Sequence, residues 1–236
     1  MSSSPTTTGP SSTSAQPARV ATRVLLGVTL WRLLIAAFGA IGFADAVDNS
    51  DGFGDAIQAL SQQASLWVAV VFLVLALYPL FTRGRAHEPR TPWWRGAMAV
   101  LLLLVGITFQ TLLSGDLDTV QSLFEHALTP IVVVLDWLLI GRNQASGKWW
   151  HPLTWAIIPA AYLVFFMIVE PDLYGSFLNP GESSFPGTVI AFLLAVILAG
   201  YLLYSIGRLK AAASRRFRPG AQQQTDVARA GNTELP

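Results

Sequence analysis

Cysteine is absent from the 236 residues. That excludes disulfides, thiolate metal sites and a cysteine nucleophile. Charge is scarce as well. Asp, Glu, Lys and Arg together make up 12% of the chain, about half of the ~25% usual in a soluble domain. With 53% hydrophobic residues and a mean hydropathy of +0.49, the composition points to an integral membrane protein. There is no Walker loop, no Gly-x-Ser-x-Gly elbow, no paired-histidine metal motif and no internal repeat. No metal, no cofactor and no nucleic-acid partner is expected. Membrane lipids are the expected surroundings; the sequence names no protein partner.

What is present is a set of long apolar runs. A bilayer core of ~30 Å needs about 20 mostly apolar residues per helix. Six stretches qualify: 24–44, 60–81, 95–113, 123–140, 152–169 and 187–207. The expected fold is therefore all-α, an integral membrane bundle of six transmembrane helices. Pro152 opens the fifth span, where its missing N–H costs nothing. Trp93, Trp94, Trp137, Trp149 and Trp150 lie near span ends, as amphipathic rings prefer.

A second absence fixes the expected orientation. The loops 45–59, 114–122 and 170–186 contain no Lys or Arg, while carrying Asp45, Asp48, Asp51, Asp55, Asp116, Asp118, Glu170, Asp172 and Glu182. Every Lys or Arg except Arg32 falls in the alternate loops or the tails, and basic loops stay in the cytoplasm. Both termini are predicted to be cytoplasmic, in a multi-pass protein of the cell membrane. Residues 1–20 read as a disordered Ser/Thr/Pro-rich tail, 21–210 as the six-helix domain, and 211–236 as a basic and then polar cytoplasmic tail. Arg215, Arg216 and Arg218 act as a positive-inside anchor, with anionic lipid head groups as the alternative ligand. Ala44-Asp45-Ala46 loosely fits a signal cleavage site, but the long polar leader and Arg32 favour a retained first span.

Ionisable groups inside a span are costly and point to function. The fourth span carries Glu125, His126 and Asp136. Glu125, near the outer end, reads as a solvated interface charge. Asp136 lies ten residues beyond His126, hence ~15 Å deeper. It reads as a structural partner for a cation such as Arg32, too far from His126 for joint acid–base chemistry. Thr129 and Pro130 share the face of His126, and Pro130 leaves the His126 carbonyl without its helical partner. His87 and His151 belong to the opposite side of the membrane and are expected to be solvated or interfacial, so no three-histidine metal site can form.

The second span also starts on the outside, with Ser61, Gln62, Gln63 and Ser65 ahead of its apolar run. Ser61 lies at the depth of His126. A hydroxyl beside an imidazole is a minimal nucleophile–base pair. Ser65 shares the face of Ser61 at i+4, and Gln63 and Ser65 are candidate hydrogen-bond donors. A polar helix start that satisfies its own backbone is the structural alternative.

The stretch HALTPIVVVLDWLL, residues 126–139, resembles the signature of the bacterial Pr6Pr membrane proteins, which in turn resemble the eukaryotic androgen-induced membrane protein family. The runs at 95–109 and 150–165, and Phe177-Leu178-Asn179-Pro180, extend the likeness over about residues 20–210. The resemblance implies six transmembrane helices and a hydrolase that cleaves esters of fatty acids with hydroxy fatty acids through an embedded Thr and His. The family histidine falls on His126. The family threonine falls on Ser61, which keeps the hydroxyl. Two functions follow as expectations: an intramembrane lipid-ester hydrolase using Ser61 and His126, or a non-catalytic membrane protein that binds lipid or a partner.

Overall fold

The computed structural model describes residues 20–113, 115–141, 143–169, 173–175 and 177–216. The tail expected over 1–20, apart from Val20, and the chain from 217 onward lie outside the described residues. Six long helices dominate the described residues, among which no strand occurs. They are α1 (Thr22–Asp48), α2 (Leu60–Phe81), α3 (Trp93–Leu112), α4 (Val120–Leu139), α5 (His151–Val169) and α6 (Phe185–Arg216). All six are long and apolar enough to cross a membrane. The last continues past the domain boundary expected at 210.

α1 and α2 form the most extensive helix pair. Arg32, Ile35, Ala36, Gly39, Gly42 and Ala46 are buried along α1, a three–four spacing that makes one narrow seam. They meet Ala64, Ser65, Val68, Phe72, Leu75 and Ala76 of α2. A Cβ at Gly39 would stand 2.6 Å from the Ser65 carbonyl oxygen, so the backbones approach through glycine, as small residues allow between membrane helices.

α3 is the central helix. Arg95 through Leu102 are buried without a break, so the first half of this helix is covered on all sides, and α2, α4, α5 and α6 pack against it. The outside of the bundle is apolar instead. Ile190, Leu194, Leu198 and Leu202 recur every four residues along α6, and all are exposed. Such a surface suits hydrocarbon better than water.

One end of the bundle carries the basic groups, the other the Asp-rich loops. At the basic end, Arg95 is 1% exposed. Its Nε donates to Asp136 Oδ2 at 2.7 Å, its Nη2 to the Asp136 and Ile140 carbonyls at 2.7 and 2.8 Å, and its Nη1 to Asn143 Oδ1 at 2.7 Å. The partner of Asp136 is thus Arg95, where the sequence suggested Arg32. Arg32 instead donates to the carbonyls of Leu75 and His87 and lies 3.9 Å from Glu88. Trp137 lies near the end of α4, as expected, but is buried, and its indole N–H donates to the Leu203 carbonyl at 3.1 Å. One further expectation changes here: His151 is buried rather than solvated, packed between Trp150 and Trp155.

Candidate functional site

A cavity of about 250 Å³ opens at the acidic end, among the starts of α2, α4 and α6, the ends of α3 and α5, and the loop carrying Tyr174. Among the described residues, Ser61, Thr108, His126, Tyr162 and Tyr174 are the polar side chains on its wall; Leu104, Phe109, Leu163, Phe177 and Phe192 are among the apolar ones.

His126 arrives there through an irregular helix. Thr119 caps α4 by accepting from the Ser122 N–H at 3.0 Å, and Asp45 of α1 accepts from the Gln121 N–H at 3.0 Å. After one α-turn the chain widens into a π-turn over Phe124–Leu128, then resumes α-geometry at Thr129. Pro130 explains the position of the break. It offers no N–H to the His126 carbonyl, and a π-bulge absorbs such a defect. The freed carbonyl faces α3 where that helix has only glycine: a Cβ at Gly106 would stand 3.2 Å from it.

The His126 ring stacks on Phe109, centroids 3.7 Å apart and planes 13° from parallel. Its Nδ1 lies 3.2 Å from the Ser122 carbonyl oxygen. A carbonyl can only accept, so Nδ1 carries the hydrogen and the neutral ring keeps its lone pair on Nε2.

Ser61 is the second residue of α2, and the start of that helix is firmly tied. Gln62 Oε1 accepts from the Ala59 N–H at 3.1 Å, and Gln63 Nε2 donates to the Ile57 carbonyl at 2.8 Å. The Leu60 N–H donates to the Tyr174 hydroxyl at 3.0 Å. Tyr162 donates to the Gln58 carbonyl at 2.9 Å, so the proton of Tyr174 goes to Tyr162, also at 2.9 Å. Each hydroxyl then has one donor and one acceptor role. Burial pushes the Tyr174 hydroxyl above its ordinary pKa, which keeps it a neutral link in this chain.

Of the residues singled out from sequence, Ser61 and His126 line the cavity, while Gln63, Ser65, Thr129 and Asp136 are not on its wall. Gln63 serves the helix start. Ser65 and Thr129 are fully buried, and their hydroxyls make no hydrogen bond to protein. Asp136 belongs to the basic end. Glu125 overturns its reading as an interface charge: it is 0% exposed. The helix begins at Val120, so Glu125 sits more than one turn inside, facing α1 and α2. Sequence reasoning also passed over Tyr162 and Tyr174. A lone tyrosine in the apolar run of residues 157–169 was the one available signal. No cluster of three or more potential metal ligands occurs among the described residues.

No family model, no curated protein and no solved structure matches this chain.

Proposed function

We propose that this protein is a multi-pass membrane hydrolase of lipid esters, with Ser61 as nucleophile and His126 as general base. One observation carries the reading: Ser61 and His126 border the same largely apolar cavity. The resemblance to the Pr6Pr and androgen-induced membrane proteins assigns the same two positions and supports it. Ser61 Oγ attacks the ester carbonyl while its proton passes to His126 Nε2. The tetrahedral intermediate collapses, and the departing alcohol takes that proton. Water, deprotonated by Nε2, then attacks the acyl-Ser61 ester, releasing the fatty acid and restoring the serine. The N-terminal end of the α2 dipole, one residue from Ser61, favours the developing oxyanion. At about 250 Å³ the cavity lies just below the ~300 Å³ of small-molecule sites. It holds the ester and part of a chain, and the remainder extends into the surrounding lipid.

The test is labelling of the purified protein in lipid nanodiscs by a fluorophosphonate probe. Wild type is expected to label, and Ser61→Ala and His126→Ala to lose labelling while keeping the wild-type unfolding temperature. Labelling that survives both substitutions would move the nucleophile elsewhere. The mostly apolar wall favours a second reading, in which the cavity binds a lipid chain without turnover. Folded wild type that binds a fluorescent fatty acid but neither labels nor hydrolyses esters would establish that reading instead.

A further inference from the structure

The Glu125 carboxyl is a fully buried titratable group at this end that the proposed mechanism leaves unused. It is wedged among α1, α2 and α4. A Cβ at Gly42 of α1 would stand 3.0 Å from Glu125 Cγ, so α1 carries glycine where this side chain passes. The Ser61 and Gln121 side chains come close enough to interact with the carboxyl, yet neither of its oxygens completes a hydrogen bond of ordinary geometry. Asp45 of α1 and Tyr174 of the loop are the other titratable groups facing it, and His126 is its neighbour in the chain. Glu125 is not on the cavity wall, so it meets Ser61 from behind.

A serine hydroxyl has one proton and two lone pairs. For His126 to act as base, that proton must point into the cavity. A buried carboxyl without a partner is also costly, and a small rotation of the Ser61 hydroxyl gives it one. We propose that Glu125 is a positioning residue for Ser61: in its neutral form the carboxyl donates to Ser61 Oγ and turns the hydroxyl proton toward His126 Nε2. Once ionised, the same carboxyl can only accept. It then draws the Ser61 proton to itself and away from His126. Glu125 thereby couples the nucleophile to pH. This inference rests on the Ser61–His126 reading above.

The experiment follows the rate of fluorophosphonate labelling of the full chain in nanodiscs over about pH 5–10, which spans the titration of a buried carboxyl. Wild type is compared with Ser61→Ala, Glu125→Gln and Glu125→Met. The wild-type rate should fall at high pH as Glu125 ionises. The Gln amide still donates but cannot ionise, so Glu125→Gln should label within about twofold of the wild-type optimum and lose the fall at high pH. Glu125→Met fills similar volume without a donor, and should label about tenfold more slowly at an unchanged unfolding temperature. A Glu125→Met rate and pH profile equal to wild type would overturn the role of Glu125 alone. So would a Glu125→Gln variant that keeps the high-pH fall, or an equal loss in both variants with lowered unfolding temperatures. Wild type that does not label, or labelling that Ser61→Ala retains, would sink the Ser61–His126 reading and this inference with it.

Discussion

Asp136 shows how far single residues can be read. Its structural role was legible because a carboxylate in the second half of an apolar run needs a partner. Its partner was not legible. Arg95 follows two tryptophans at the start of a span, which from sequence reads as one more loop cation, whereas the structure buries it with four short hydrogen bonds to three residues at and just beyond the end of α4. A buried pair of this kind is expensive to break from one side, because the remaining charge stays in place uncompensated. Asp136→Asn should therefore lower stability by about 3–5 kcal/mol, read as a depressed unfolding temperature in detergent. The double variant Arg95→Met with Asp136→Leu should recover much of that loss, since two apolar groups replace the pair. A double variant no more stable than Asp136→Asn would mean that the Arg95 bonds to Ile140 and Asn143, not the ion pair, hold this end together.

The elements divide in the same way. Each expected span coincides with a long helix, because length and hydropathy are properties of many residues at once. The π-turn in α4 escaped notice, since one proline reports a missing N–H but not which neighbour receives the freed carbonyl or how the backbone widens. The depth of Glu125 was misjudged for that reason and because Thr119, four residues before the expected start of the span, is the true cap. The π-turn yields its own prediction. Pro130→Ala restores an N–H to the His126 carbonyl and removes a poor helix former, worth about 3 kcal/mol in propensity in a regular helix interior. The variant should be at least as stable as wild type. It should nevertheless label with the fluorophosphonate ten- to a hundredfold more slowly, because displacement of a catalytic group by about 1 Å can cost 10²-fold. Unchanged labelling would mean that the stacking on Phe109 and the Ser122 contact fix His126 without help from the π-turn.

At the scale of the whole molecule, six apolar helices say that the chain can cross a membrane, and the charge of its loops sets the expected direction. Helix packing alone does not carry that second message, because the bundle would pack equally well upside down. The orientation matters for function: the cavity opens at the Asp-rich end, so the direction of insertion decides which leaflet supplies its substrate. If both termini are cytoplasmic, the proposed lipid-ester substrate would reach Ser61 from the outer leaflet. The absence of cysteine makes the test clean, since one introduced thiol is the only one in the protein. Asp51 lies at the cavity end and Thr91 at the basic end, and both are exposed. In intact cells a membrane-impermeant maleimide should label Asp51→Cys and spare Thr91→Cys, and permeabilisation should make both reactive. The opposite pattern would invert the protein and turn the cavity toward the cytoplasmic leaflet, so that substrates would have to be sought among intracellular lipid esters. Reaction of both thiols in intact cells would mean that the protein inserts both ways, and that the positive charge of the alternate loops is too weak to choose.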